Sequence, residues 1–266
     1  MENLGDKEKY TFNHLVEIMK LLRSDNGCPW DKEQTHKSIE RNFIEEVYEA
    51  VEAIEEDDNA LLKEELGDVL LQIVFHSEIA SGDGVFDIND VTDGICRKLI
   101  MRHPHIFSDV VASDSSMVLK NWDEIKRAEK GQNTHTQTLS AVSKYLPALI
   151  KSEKIQKRAA KVGFDWDSYE GALLKLKEEV VELERAAVLG DRDNIDEESG
   201  DVLFAAVNVA RLLGVDPEGA LSRCCDKFII RFEYIENNSV KTFGKQIDEL
   251  TLEQMDKLWE ESKRVR

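Results

Sequence analysis

The same spaced set of four carboxylates occurs twice in this chain. In the first copy Glu46 and Glu49 precede Glu65 and Asp68; in the second Glu179 and Glu182 precede Glu198 and Asp201, and in both the third acid follows the first by 19 positions. Residues three apart share a helical face, so each copy asks for two helices whose acidic faces meet. The second pair leads into an apolar run, Val69 to Phe75 in one copy and Val202 to Ala210 in the other. Apolar side chains at nearly every helical angle predict a buried helix, on which Glu198, Asp201, Ala205 and Asn208 form one stripe. Carboxylates are seldom buried alone, because taking the charge out of water costs several kcal/mol even after relaxation. Something positive is expected opposite that stripe.

The repetition extends past the acids. Gly27-Cys28-Pro29-Trp30-Asp31 is answered by Gly163-Phe164-Asp165-Trp166-Asp167, Lys98 with Arg102 by Lys227 with Arg231, and the segment Trp122 to Lys126 by Trp259 to Lys263. An internal repeat this long is a duplicated domain rather than a solenoid unit. Abundant Leu, Glu, Lys and Ala with only four prolines, and no alternating apolar pattern, predict an all-α protein. The expected layout is a first domain over 1–130, a basic linker over 131–162 and a second domain over 163–266. Within the linker, Leu146 to Lys161 is basic in an acidic chain and reads as a solvated connecting helix. The alternative is a helix that covers a phosphate-bearing ligand.

The net charge of −19 is the opposite of the clustered basic surface that holds a nucleic-acid backbone. No nucleic-acid partner is expected, and a polyanionic ligand would need a bridging cation. Cys28, Cys96, Cys224 and Cys225 lack CxxC spacing, and adjacent cysteines are poorly placed to bridge each other. Reduced thiols, no signal-peptide layout and no apolar run near the ~18 residues of a membrane span predict a cytoplasmic protein without membrane contact. No GxxxxGKS/T or glycine-rich dinucleotide loop occurs, nor a Ser-His-Asp or Cys-His arrangement, which removes P-loop and triad chemistry.

Four converging carboxylates repel unless a counter-ion joins them, and all-oxygen ligation is what Mg²⁺ or Mn²⁺ prefers. Glu179, Glu182, Glu198 and Asp201 are therefore the expected metal ligands, with Glu46, Glu49, Glu65 and Asp68 a second candidate set. A di-iron carboxylate site would instead want Glu-x-x-His on two helices. Glu33-Gln34-Thr35-His36 has that spacing but no copy in the second half, so His36 reads as a surface or capping residue. The doubled Glu-Glu-x-x-Glu and Glu-x-x-Asp arrangement, with Cys28-Pro29-Trp30-Asp31 in one half and Gly163-Phe164-Asp165-Trp166 in the other, resembles the MazG family over essentially the whole chain. The acids alone also suit the dimeric dUTPases; the tandem layout with both tryptophan motifs is the more specific part of the likeness. That resemblance implies an all-α, homodimeric nucleoside triphosphate pyrophosphohydrolase with four-helix-bundle-like domains. Its reaction would turn NTP and water into NMP and pyrophosphate with Mg²⁺, as nucleotide-pool house-cleaning.

On this reading a cation held by the second-half acids neutralises the triphosphate and orients it for in-line attack at the α-phosphorus. Glu178 or one of the ligating carboxylates takes the proton of the attacking water. Lys227 and Arg231, one turn apart, suit polyphosphate oxygens; Lys175, one turn before Glu179, and Lys126 are further candidates. Asn208 is placed to hydrogen-bond the ligand and Trp259 to stack on a base without demanding its identity, while Trp30 and Trp166 read as packing residues. The first half has Asn42 and Phe75 where the second has Lys175 and Asn208. A phenylalanine binds neither phosphate nor metal, so the second half is the expected catalyst. The competing expectation is a helical dimerisation or regulatory protein whose acids hold a non-catalytic metal.

Overall fold

The computed structural model describes residues 4–5, 7–108, 117–118, 122, 125–127 and 129–264. The chain divides into two compact units, Met1–Lys126 and Arg127–Arg266, and every regular element among the described residues is helical.

In the first unit, α1 (Phe12–Arg23), α2 (Pro29–Glu33), α3 (Glu40–Glu55), α4 (Asn59–Gly82), α5 (Ile88–Arg102) and the single turn α6 (Pro104–Phe107) follow in order. The α3–α4 hairpin is its centre, with α1 laid against α4. The turn of the hairpin is written locally: Asp57 takes a left-handed φ of 55°, which an Asp tolerates better than a branched residue. The Asp58 carboxylate then accepts from the Ala60 and Leu61 amides at 2.9 and 3.0 Å, capping α4. Met19 of α1 is buried against Val74, Phe75 and Ile79 of α4, with Ile39 and Ile88 completing that core.

The second unit holds α7 (His135–Ser140), α8 (Ala148–Ala160), α9 (Tyr169–Leu189), α10 (Arg192–Leu212), α11 (Pro217–Phe243), a 3-10 turn (Ile247–Glu249) and α12 (Leu252–Ser262). The α9–α10 hairpin repeats α3–α4 to the turn: Gly190 takes a φ of 69° in the place of Asp57, and Asp191 caps α10 through the Asn194 amide at 3.3 Å. Helix α8 packs on α10 as α1 packs on α4. The two first helices also end alike, the Leu22 carbonyl accepting from the Cys28 amide at 2.8 Å and the Ala159 carbonyl from the Phe164 amide at 3.2 Å. Residues 131–162, expected as a linker, therefore lie in the second unit, and α8 is the first helix of the repeat. Sequence conceals this because the likeness to α1 resides in which positions are buried, Met19 at 2% and Gln156 at 6% exposure, rather than in residue type. The basic residues of α8 are partly engaged within the unit: Arg158 donates to the Thr138 carbonyl and Lys157 pairs with Glu153 at 2.6 Å.

One expectation about burial changes. Within a single chain α10 is only partly covered, with Ala205 and Val207 buried but Leu203 exposed, and Phe228, Ile229 and Ile230 of α11 are exposed as well. The apolar run reads as core from sequence because periodicity does not distinguish a helix covered by its own chain from one with an open apolar face. No helix among the described residues is long and apolar enough to cross a membrane.

Candidate active site

The α9–α10 hairpin brings the paired acids together. Carboxylate oxygens of Glu179 and Glu182 on α9 and Glu198 on α10 all lie within 4.8 Å of one another, and Glu179 is buried. Asp201, one turn beyond Glu198, stands outside that group; its charge acts on Glu198 and its side chain lines the adjoining cavity. Crowding raises the proton affinity of two of these acids. Glu182 is raised above the usual carboxylate range by its hydrogen bond with Glu179 and then by burial, whereas Glu198 is raised first by burial and then by the charges of Glu179 and Asp201. An all-carboxylate donor set in which Glu182 and Glu198 hold a proton more tightly than usual fits a hard divalent cation such as Mg²⁺ or Mn²⁺, which relieves the same repulsion a proton does. Beside the cluster, Lys175 Nζ bonds Glu178 at 2.7 Å and Glu179 at 2.9 Å, and these two carboxylates raise its own pKa. Glu178 is thus the exposed partner of Lys175, outside the acid group itself. The first unit repeats the cluster with Glu46, Glu49 and Glu65. Glu46 and Glu65 titrate high there, chiefly from burial, with Asp68 adding to both.

A cavity of about 610 Å³ opens next to the second cluster. The hairpin lines it with Ala172, Lys175 and Glu179 from α9 and Asp201, Phe204, Ala205, Asn208 and Arg211 from α10, each set at helical spacing. Helix α8 contributes Ile155, Gln156 and Ala159, and the loop 163–166 contributes the rest of the wall with Leu139. Arg211 organises the polar part: Nε and Nη2 donate to Asn208 Oδ1 at 3.0 and 2.7 Å, and Nη1 donates to Asp165 Oδ2 at 3.0 Å. That guanidinium holds the Asp165 carboxyl below its ordinary range. With Oδ1 engaged, Asn208 keeps its Nδ2 hydrogens for a further acceptor. Trp166, expected as a packing residue, is instead about half exposed and lines the cavity. Its ring lies so close to Gly171 that a Cβ there would stand 2.7 Å from Cε3, so the wall requires glycine at that point. Trp30 is likewise an exposed residue rather than a packing one.

The remaining predicted residues sit elsewhere in the molecule. Lys227 and Arg231 lie one turn apart on α11, and neither lines the cavity. Arg231 stands 5.4 Å over the Trp259 ring, which meets Phe228 at 5.2 Å and packs on a satellite core of Ile235, Leu250 and Leu258. Lys126 belongs to the first unit, its Nζ 4.9 Å from the Trp122 ring that also carries Arg102 at 5.4 Å; this is the counterpart of Arg231 on Trp259. Asp123 and Glu124 of the same segment lie outside the described residues. His36, expected as a surface or capping residue, is at the surface but pairs with His76, their Nδ1 atoms 2.8 Å apart and their rings stacked at 5.1 Å. Sequence reasoning missed Gln156 and the Asp165–Arg211–Asn208 network. For Arg211 a signal existed, a cation three positions after Asn208 at the end of an apolar run; for Gln156 there was none, since it is one polar residue in a polar helix.

A family model described as the MazG nucleotide pyrophosphohydrolase domain matches the chain twice, over residues 34–107 and 167–235, and the two stretches contain both acid clusters. The chain is 44% identical over 252 residues to the nucleoside triphosphate pyrophosphohydrolase/pyrophosphatase MazG of Thermotoga maritima, covering 95% of each protein. It is 42% identical to a nucleoside triphosphate pyrophosphohydrolase of Escherichia coli K12, over 95% of this chain and 97% of that relative. An uncharacterised Bacillus subtilis protein, YabN, is 47% identical over 96% of this chain, which spans 52% of the YabN sequence.

Proposed function

Because the chain belongs to the MazG nucleotide pyrophosphohydrolase family and is a nucleoside triphosphate pyrophosphohydrolase, we propose that its second unit carries the reaction, releasing NMP and pyrophosphate in a nucleotide-pool house-cleaning role. The observation that supports this assignment is the cavity of about 610 Å³ beside Glu179 and Asp201. Glu179, Glu182 and Glu198, with Asp201 on the cavity side, would hold Mg²⁺ or Mn²⁺, which supplies charge neutralisation for the triphosphate and a lowered pKa for a bound water. Lys175 is a point charge at the junction of cluster and cavity, suited to a phosphate oxygen. A phosphate that takes over Lys175 releases Glu178 from its ion pair, leaving that carboxylate to accept the proton of the attacking water. Asn208, held by Arg211, offers its amide hydrogens to the ligand.

A homodimer is part of the same reading. Leu203 on α10 and Phe228, Ile229 and Ile230 on α11 are large apolar side chains left exposed in the single chain; exposed apolar surface is where partners bind, and a second copy covering these helices would give a four-helix-bundle-like core. Lys227, Arg231 and Trp259 are proposed as contacts to the polyphosphate and base in that assembly. The test is product analysis with Glu198→Gln and Asp201→Asn. Each is expected to lower metal-dependent turnover by about 10²- to 10³-fold while oligomer size and helical content stay as in the parent. Release of NDP and orthophosphate, or turnover that survives both changes, overturns the assignment.

A further inference from the structure

Gln156 is a polar side chain at the position that Met19 fills in the first unit, buried to 6% exposure. Its Nε2 donates to the Phe204 carbonyl of α10 at 2.8 Å. That bond fixes the amide, since the reversed orientation would set two acceptor oxygens against each other. The other end of the amide is then committed. Oε1 is out of contact with solvent, has no hydrogen-bond partner, and belongs to a residue of the cavity wall. A buried amide oxygen without a donor destabilises a fold, and an apolar side chain of similar shape does not, as Met19 illustrates in the other unit. Gln72 Oε1 of the first unit is unpartnered as well, so it is the cavity beside Gln156 that points to a ligand donor.

The surroundings say what kind of donor. Leu139, Ile155, Ala159 and Phe204 are apolar, and Phe164 and Trp166 add exposed aromatic rings to the same wall, the setting in which a flat heteroaromatic ring is held and a few polar atoms fix its orientation. Phe204 lies one turn along α10 from Asp201, about 5 Å of helix axis. Gln156 is thus on the apolar side of a cavity whose acidic side is the place proposed for the phosphates. Building on that proposal, we infer that Gln156 is a specificity-determining residue: its Oε1 accepts a hydrogen bond from an N–H on the edge of the nucleobase. A single acceptor selects for an N–H rather than for one base. Adenine, cytosine, guanine and uracil each present one, so the subsite accepts natural nucleotides and discriminates against bases whose edge carries no hydrogen.

The experiment compares ATP with purine riboside triphosphate, which lacks only the exocyclic amine, on the full-length protein. Wild type is expected to favour ATP in kcat/KM by about tenfold or more, and Gln156→Met, which installs the first-unit residue, to bring the ratio within about twofold by slowing ATP alone. A wild-type ratio near one, or a preference that Gln156→Met leaves intact, overturns the inference. Equilibrium binding of AMP against purine riboside monophosphate to the wild type probes the same contact without the variant and without turnover: tighter AMP binding supports the role of Gln156, and equal affinities reject it. If neither triphosphate is hydrolysed to monophosphate and pyrophosphate, the proposed reaction fails, and the monophosphate affinities still decide the base contact.

Discussion

The two units share a hairpin, a left-handed turn position, an aspartate cap and a cluster of three glutamates, yet they differ in what stands behind the acids. In the second unit Gln156, Ala159, Ala205 and Asn208 border a cavity. At the corresponding positions the first unit has Met19, Leu22, Gln72 and Phe75; Met19 and Phe75 are core residues with Leu22 packed against them, and Arg23 lays its guanidinium 5.4 Å over the Phe75 ring. Gln72, also buried, bonds the Glu46 carboxylate and leaves its Oε1 without a partner. The charge on the far part of the wall is reversed as well, Glu78 in the first unit against Arg211 in the second. The acid cluster is set by hairpin register, which both units keep. The volume beside it is set by four side chains, which they do not.

The largest expected effect tests whether equal acids mean equal work. Glu179→Gln should lower kcat/KM for any hydrolysed triphosphate by about 10³-fold, whereas Glu46→Gln should change it by less than about twofold, both measured by steady-state pyrophosphate release. Comparable losses from the two substitutions would make the first unit a second catalyst. Next in size is the position where the core of one unit meets the cavity of the other. Phe75 is 4% exposed, so Phe75→Ala should cost about 3–5 kcal/mol in denaturant unfolding through the cavity it leaves. Asn208→Ala should leave stability within about 1 kcal/mol and raise KM instead. A Phe75→Ala protein of parental stability would show that the first unit is not packed solid at that point.

Much of this is legible in the sequence, for physical reasons that also mark the limits. A helix projects residues three apart onto one face whatever surrounds it, so the Glu179–Glu182 and Glu198–Asp201 pairs locate the hairpin and the acid cluster, and Asn208 falls on the stripe that lines the cavity. The substitutions of Asn42 and Phe75 for Lys175 and Asn208 fall at two positions that line the cavity of the second unit. What the pattern leaves unread depends on contacts between elements. Gln156 acquires meaning only because α8 meets α10, and α8 looks like a linker because its exposed residues are basic. The pairing of His36 with His76 joins positions 36 and 76 through tertiary structure alone. Trp166 reads as core because large aromatics usually are, and it forms cavity wall because Gly171 leaves room for its ring.

The smallest effect concerns the reversed charge, and it separates the units by the sign of their response to pH. Asp165 is held below its ordinary value of 3.8 by the hydrogen bond from Arg211. A depressed folded-state pKa contributes stability that is present above the unfolded value and is lost as pH falls through the folded one. Asp165→Asn should therefore cost about 1–2 kcal/mol at pH 7, as expected for a charged hydrogen bond that retains some exposure, and the difference from wild type should close as pH falls below 3.8. Glu78 runs the other way. Burial raises it above its ordinary 4.5, outweighing the opposing pull of Lys20 and Arg23, so its favourable contribution is present below 4.5 and lost as pH rises through the raised value. Glu78→Gln should then stabilise the protein at pH 7 and lose that advantage once pH drops below 4.5. Urea unfolding of the two variants across this range decides the matter: the Asp165→Asn deficit shrinks toward acid, and so does the Glu78→Gln gain. A Glu78→Gln protein that is destabilised at neutral pH would mean that Lys20 and Arg23 dominate over burial, and that the charge reversal preserves an ion pair in each unit.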